Sequence, residues 1–306
     1  MDKTSVDWNG PMPAVVTPFD AGGRIDEAAF RANLELSIDA GMTGLVVGGC
    51  TGEFWAMTAD ERKRIMEIGV ETARGRVPVI GGTTAVTTSE AIQLTRMAKD
   101  IGCVGAMLLP PYFVRPSKDD IVAHFQAVSE AVDLPLMLYN LPSGAVDLTA
   151  DVVDRLADID TVVAIKDSTL DFNSFYKTLT VAGDRIRVFM GRVNHFGLAA
   201  VELGVVGFVS SSPNYWGQEF VEFYQACKAR DRDRSRALQE KARALDDLMG
   251  AGGRNPYAAV KAAMNILDLP GGYPRLPLRP LGEPHLGELR LGLASLGLMT
   301  AKAAAE

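Results

Sequence analysis

The sequence is poor in cysteine and histidine, and it has no long apolar run. Its 306 residues include three cysteines, Cys50, Cys103 and Cys227. An odd number, widely spaced and without a CxxC pair, argues against a disulfide framework and for reduced thiols in a cytoplasmic protein. The three histidines, His124, His195 and His285, form no HExxH, facial triad or Cys/His cluster, so no metal is implied. No apolar stretch reaches the ~20 residues a bilayer-spanning helix needs. The first residues, MDKTSVDWNG, lack the apolar run of a signal peptide. The C-terminal LRLGLASLGLMTAKAAAE is interrupted by Arg290 and small residues and reads as a packing helix. No Lys/Arg block stands out, and 31 basic against 38 acidic residues give a net charge of −7, which weighs against nucleic acid or anionic lipid as partner. A small acidic substrate needs only a local patch and stays open. GxGxxG, GK[ST] and GxSxG are all missing, which weighs against dinucleotide, nucleotide and serine-hydrolase chemistry.

What is present is a regular alternation. Eight short apolar runs occur: PAVVT (13–17), GLVVGG (44–49), VPVIGG (77–82), VGAMLL (104–109), LPLMLYN (134–140), TVVAIK (161–166), IRVFMG (186–191) and VVGFVSS (205–211). They are too apolar for a sheet with one wet face and read as buried parallel strands. Helical signals fill the gaps. Asp26 precedes Phe30, Leu34 and Ile38, and Gly41 stops the run. Thr58 with Glu61, and Thr87 with Glu90, form capping boxes, and Ser117 with Asp120 opens the next helix. Thr149 and Asp171 can cap the two after it. Eight strand-helix units over roughly 230 residues predict an α/β fold closed into a (β/α)8 TIM barrel, with its active site at the C-terminal strand ends. Three more helical stretches follow, Gln218 to Met249, Pro256 to Leu267 and Pro284 to the end. The expected division is a catalytic barrel over 1–230 and a C-terminal helical extension over 231–306.

The strand ends therefore hold the candidate chemistry: Cys50, Thr51 and Glu53 after strand two, PPYF after strand four, Tyr139 and Asn140, Lys166, Gly191, and the serines 210–212. Lys166 closes VVAI, and alternation puts it on one face with Val162 and Ala164. If that face points inward, an amine stands in an apolar barrel mouth and its pKa falls from ~10.4. A loss of about three units costs roughly 4 kcal/mol, which suggests a purpose. A neutral amine attacks carbonyls and forms an iminium, an electron sink for breaking C–C or C–O bonds beside it. The other reading pairs Lys166 with an acidic neighbour at the rim. Tyr139, on the adjacent strand, is either a proton donor and acceptor or a core-edge tyrosine. GGCTGEF offers N–H groups and the Thr51 hydroxyl to a carboxylate, or is simply a Gly-permitted turn. His124 reads as a surface or packing residue, His195 lies near the mouth, and His285 belongs to the tail.

At these residues the chain resembles the dihydrodipicolinate synthase and N-acetylneuraminate lyase family of class I Schiff-base lyases. GGCTGE (48–53), YNLPSG (139–144), VVAIKDST (162–169) and the Gly191 segment leading to GFVSSSPN (207–214) carry the resemblance, which runs from about Asn9 to Leu269. It implies Lys166 as the Schiff-base lysine and Tyr139 as the proton-handling phenol. Thr51 and the backbone at Cys50 would hold the keto-acid carboxylate, Val209 would place a carbonyl near the substrate, and Gly191 would line the site. It also implies a homotetramer with neither metal nor organic cofactor.

The chain departs from the synthases in one half of the site. Their GTTGE turn reads GCTGE here, so a thiol at Cys50 replaces a relay threonine. Their second relay tyrosine falls on Phe113, beside Tyr112, and the Arg of YNxPxR falls on Gly144, removing a carboxylate fork. The expectation is a lyase acting on pyruvate or a pyruvate-like 2-keto acid, by aldol cleavage or condensation or by dehydration of a sugar-derived 3-deoxy-2-keto acid. Two alternatives remain: 4-hydroxy-tetrahydrodipicolinate synthase, condensing pyruvate with aspartate semialdehyde, and a non-catalytic keto-acid sensor.

Overall fold

Seven of the eight apolar runs hold a strand where expected, the first strand lies just ahead of its run, and a helix follows each strand. The computed structural model describes residues 1–300. Its barrel elements are β1 (Gly10–Pro13), α1 (Glu27–Asp39), β2 (Leu45–Val47), α2 (Ala59–Ala73), β3 (Val79–Gly82), α3 (Thr88–Ile101), β4 (Gly105–Leu108), α4 (Lys118–Ala131), β5 (Leu136–Asn140), α5 (Ala150–Leu156), β6 (Val162–Asp167), α6 (Phe172–Ala182), β7 (Arg187–Met190), α7 (Val193–Glu202), β8 (Gly207–Ser210) and α8 (Gly217–Ala229). Then come α9 (Arg232–Gly250), α10 (Pro256–Ile266) and α11 (Glu283–Ser295). All strand pairs in the sheet are parallel and run in the order β1-β8-β7-β6-β5-β4-β3-β2, and the Ala14–Val46 bridge closes the ring. This is a (β/α)8 barrel followed by helices.

The first strand lies earlier than the 13–17 run. Gly10 and Ala14 turn their N–H groups to β8, donating to the carbonyls of Val206 (2.9 Å) and Ser210 (2.8 Å). The alternate positions facing β2 are Pro11 and Pro13, which have no N–H to give. The β1–β2 seam is therefore sparse, and Val15 supplies its N–H bond to Val46 at 2.9 Å. Val16 then leaves the ladder because the Asn214 side chain takes its N–H at 3.0 Å.

The strands bury both faces. Met12, Val46, Ile80, Met107, Met137, Val163, Ala164, Phe189 and Val209 pack inside the barrel, while Leu45, Leu136, Ile165, Val188 and Phe208 pack outward against the helices. Trp8 belongs to the inner cluster and lies tight against Gly105, where an added Cβ would meet the indole at 2.2 Å. The register between β5 and β6 jumps from Leu136–Val162 to Met137–Ala164, so β6 carries an extra residue. That bulge corrects the expected shared face: Ala164 is inside with Val163, and Val162 packs outward.

The helix starts follow the capping signals with two exceptions. Asp26, Thr58, Ser117 and Asp171 cap as expected, and the boxes at Thr58 and Ser117 are reciprocal. At α3 only Thr87 bonds, accepting from the Glu90 N–H. Thr149 holds the N-cap position of α5 without capping, because its hydroxyl donates to Asp151 at 2.7 Å. The stretch Gln218 to Met249 is two helices, since Arg230 is left-handed (φ 58°) and Asp231 caps a new start at α9. The last six residues of the C-terminal stretch lie outside the described residues.

Candidate active site

Tyr139 and Lys166 stand opposite each other at the ends of β5 and β6, in register. Both are buried, and the Lys166 ammonium nitrogen lies 4.2 Å from the centre of the Tyr139 ring. Burial pulls the lysine down to about 8; the nearby Arg192 acts in the same direction and Cys50 opposes it. Burial also pushes the Tyr139 phenol well above its usual value, so it remains a proton donor. The Cys50 thiol is raised for the same reason, against the opposing pull of Lys166 and of the nearby Tyr139 and Tyr257 hydroxyls. Next to Lys166, Asp167 accepts from the Asn140 amide (3.2 Å) and the Thr169 N–H (2.9 Å), and burial pushes it up to about 6.

The turn after β2 is shaped by two close approaches. Gly48 has φ +73°, and its carbonyl passes so near Gly82 that a Cβ there would lie 2.1 Å away. Glu53 is left-handed at φ 57° and is pinned by an ion pair to Lys261 of α10 and by the Arg275 N–H at 3.0 Å. Between these anchors the N–H groups of Cys50 and Thr51 have no partner among the described residues. They leave two backbone donors uncommitted beside the buried Thr51 hydroxyl, a set of groups chemically able to take an anion.

Across the mouth, the end of β7 closes onto the end of β6. Gly191 donates its N–H to the Asp167 carbonyl at 2.6 Å, and a Cβ on it would fall 1.9 Å from the Ser168 hydroxyl oxygen. The Arg192 Nε then donates to the Ser168 carbonyl at 2.9 Å. Asn194 links α7 to its neighbours: its carbonyl oxygen accepts from Ser212 (3.0 Å), and its amide donates to Asp246 of α9 (3.2 Å). The His195 ring sits 3.7 Å from Asp246, and burial lowers its pKa.

These groups enclose one cavity of 530 Å³ at the C-terminal ends of the strands. Cys50, Thr51, Tyr139, Lys166, Gly191 and Val209, the six residues singled out in the sequence, all line it, as does His195. His124 is a buried packing residue, hydrogen-bonded to Thr88 at 2.9 Å. His285 lies beside Glu288 of α11. Gly144 lines the cavity without a side chain to offer. Phe113 is 90% exposed and does not line it, and Tyr112 packs on Phe54 with ring centres 6.1 Å apart.

Sequence reasoning missed Ser168, Arg192, Asp246 and Tyr257. Ser168 and Arg192 each directly follow a residue of a recognised motif or strand end, so position alone could have found them. Asp246 and Tyr257 come from α9 and α10 and carry no such signal. Among the described residues, no group of three or more His, Cys, Asp or Glu side chains is placed to hold a metal ion, and no helix is long and apolar enough to cross a membrane.

Comparison with known proteins agrees with this geometry. The Dihydrodipicolinate synthetase family profile matches residues 7–295. An uncharacterized DapA-like lyase of Rhizobium meliloti is 38% identical over 295 residues, covering 96% of this chain and 98% of that protein. The 4-hydroxy-tetrahydrodipicolinate synthase of Acidiphilium cryptum is 36% identical, covering 95% and 99%. Among solved structures, the Escherichia coli prophage protein YagE in complex with pyruvate superimposes with a TM-score of 0.91 at 28% identity, covering 96% and 100%. The Acinetobacter baumannii dihydrodipicolinate synthase in complex with pyruvate superimposes at 0.89 and 32% identity, covering 95% and 99%. The chain belongs to the dihydrodipicolinate synthetase family of lyases.

Proposed function

We propose that Lys166 forms an imine with pyruvate or a pyruvate-like 2-keto acid and that the chain cleaves, condenses or dehydrates such acids. The observation that carries this reading is a buried lysine, pulled down to about 8, stacked on a buried phenol at the end of a barrel strand. The neutral amine attacks C2; loss of water leaves the iminium. The substrate carboxylate takes the Cys50 and Thr51 N–H groups and the Thr51 hydroxyl, and the Val209 and Gly191 backbones wall the reacting carbons. In aldol cleavage the C4 hydroxyl gives up its proton, the C3–C4 bond breaks, and its electrons run into the iminium to give an enamine. In dehydration a C3 proton leaves and the C4 hydroxyl departs as water. Tyr139 moves these protons and, after cleavage, returns one to C3 of the enamine to restore the iminium. Hydrolysis of the imine then frees Lys166.

The test is borohydride reduction in the presence of pyruvate, read by peptide mass spectrometry. The expected result is a reduced adduct on Lys166 and none on the Lys166→Ala protein. A folded wild-type protein with no adduct, for pyruvate and longer keto acids alike, overturns the reading and leaves keto-acid sensing.

A synthase reading, condensing pyruvate with aspartate semialdehyde, is supported by the printed activity of relatives such as that of Acidiphilium cryptum. Gly144, which leaves that part of the cavity without a charge, and Phe113, which does not line it, weigh against it. A coupled assay with both substrates decides between them. The reading further takes residues 1–230 as the catalytic barrel and 231–306 as the helical extension. It takes the working enzyme to be a cytoplasmic homo-oligomer, a tetramer by family resemblance.

A further inference from the structure

Resting on the imine reading above, we infer that Arg192 receives a second carboxylate at the far end of the substrate, so that the preferred substrates are dicarboxylic 2-keto acids.

Arg192 is the one guanidinium that lines the cavity. Its Nε is held by the Ser168 carbonyl at 2.9 Å, which fixes the plane of the group. Its two Nη atoms have no protein partner among the described residues, and no carboxylate of those residues forms an ion pair with it. The cavity does contain one carboxylate, Asp246, but that side chain is committed elsewhere. One of its oxygens accepts from Asn194 at 3.2 Å and the other faces His195 at 3.7 Å. A half-buried guanidinium with a free Nη pair is a receptor for two parallel N–H···O bonds, the geometry that selects carboxylates.

Its position fits the tail of a substrate anchored at the other end. The free N–H groups of Cys50 and Thr51 follow β2, and β7 lies three strands away round the ring through β1 and β8. Lys166 ends β6, directly beside β7. Gly191 makes the approach possible, since its missing Cβ lets the chain before Arg192 close onto Asp167 and Ser168. A keto acid with C1 on the β2 turn and C2 on Lys166 can extend its remaining carbons along the β7 side, past Arg192. Gly144, on the opposite flank, offers the tail nothing charged.

Imine formation at C2 does not depend on which bond later breaks, so trapping tests the inference whatever the reaction. Half-saturating concentrations for borohydride trapping on the full-length protein are compared within two pairs: 2-oxoglutarate with 2-oxopentanoate, and 2-oxoadipate with 2-oxohexanoate. Within each pair only a terminal carboxylate and a terminal methyl differ. Pyruvate is measured alongside. The expected result is a preference for the diacid of about ten- to a hundredfold in at least one pair, the range of a charged hydrogen bond. Arg192→Met brings the two members of that pair to within a few-fold of each other, and Arg192→Lys keeps part of the preference. Both members of a pair are read on the same variant, so any change that loss of Arg192 works on Lys166 itself cancels in their ratio. If pyruvate is trapped on Lys166 but neither diacid is preferred, or if the preference survives Arg192→Met, the inference is overturned and the imine reading stands. If pyruvate is not trapped at all, both fall.

Discussion

Glu53 and Lys261 form an ion pair with both side chains essentially sealed from solvent, joining the turn after β2 to α10. Each partner has further support. Lys261 donates to the Tyr273 carbonyl at 2.8 Å and lies 4.4 Å from the centre of the Phe19 ring, and Glu53 accepts the Arg275 N–H. The pair explains why a glutamate stands at a left-handed position of the turn that carries Cys50 and Thr51. Removing one partner strands a buried charge, at a cost of about 3–5 kcal/mol. Lys261→Met is therefore strongly destabilising in urea unfolding. The Glu53→Gln/Lys261→Met double variant costs less than the sum of the two single changes. Because the turn loses its anchor, Lys261→Met also raises the pyruvate concentration needed for half-maximal trapping. Additive costs in the double-mutant cycle would dissociate the two residues.

The pH dependence of imine formation follows from Lys166. The attacking species is the neutral amine, and with a pKa of about 8 roughly a tenth of it is neutral at pH 7. The rate of trapping falls about tenfold per pH unit below 8 and levels off above it, whereas an ordinary lysine would keep gaining up to ~10.4. Stability moves in step. The folded state resists protonating this amine, so between pH 8 and about 10.4 the unfolded chain binds more protons and stability rises with pH. Below that window the whole cost of a buried ammonium is present. Lys166→Met is thus more stable than wild type at pH 7, by about 1–3 kcal/mol, and the gain shrinks as pH climbs through the window. Thermal melts of the two proteins across pH 7 to 10 check it; a constant difference would remove Lys166 as its source.

The barrel was legible because its signals are local. Eight apolar runs, each followed by a capped helical stretch, need only strand and helix periodicity to be recognised. Where the reading went astray, a distant group decided the outcome. Val15 and Val16 have strand composition, but Asn214, nearly 200 residues on, takes the Val16 N–H. Val162 and Val163 are chemically alike, and only pairing with β5 shows which of them is the bulge. In the candidate site, Lys166 and Tyr139 stood out because a polar group ending an apolar strand is unusual. Tyr257 and Asp246 sit on ordinary helices, and nothing in their neighbours says that α9 and α10 fold back over the barrel mouth.

Gly191 tests whether the closure of β7 onto β6 is needed for the site. An added Cβ would meet the Ser168 hydroxyl oxygen at 1.9 Å and the Asp167 carbonyl at 2.9 Å, and neither neighbour is free to retreat far, since both are buried. Gly191→Ala forces the ends of β6 and β7 apart, costing about 1–3 kcal/mol as overpacking does. The displacement acts on the residue two places from Lys166, so trapping of pyruvate falls by more than the loss of folded protein accounts for. Gly204→Ala is a control of opposite kind: it is strained at φ +102° yet meets no atom within 4 Å, so it costs stability without touching the trapping rate. Equal trapping by the Gly191 and Gly204 variants, per folded molecule, would make Gly191 a folding residue only.

Tyr257 gives the sharpest test of how protons move at the site. Its hydroxyl and that of Tyr139 both lie near the buried Cys50 thiol, one phenol from α10 and one from β5, and all three groups line the cavity. All three groups are held in their protonated forms by burial, which suits passing a proton and does not suit attacking a carbonyl. Imine formation and proton movement at C3 can therefore be separated. Exchange of the pyruvate methyl hydrogens with deuterated water, followed by NMR, reads the second step. Tyr139→Phe slows exchange by about 10²–10⁴-fold, as loss of the principal proton donor does. Tyr257→Phe leaves the trapping of pyruvate on Lys166 near wild type and slows exchange less, on the order of tenfold, because water in the open mouth can partly replace it. Cys50→Ser, which substitutes a stronger hydrogen-bonding hydroxyl for the thiol, retains exchange, and Cys50→Ala loses it to about the extent of Tyr257→Phe. If Tyr257→Phe and Cys50→Ala slowed exchange independently, so that the double variant lost the product of both factors, the two groups would not share one path. A double variant no worse than either single change places them in series between Tyr139 and solvent.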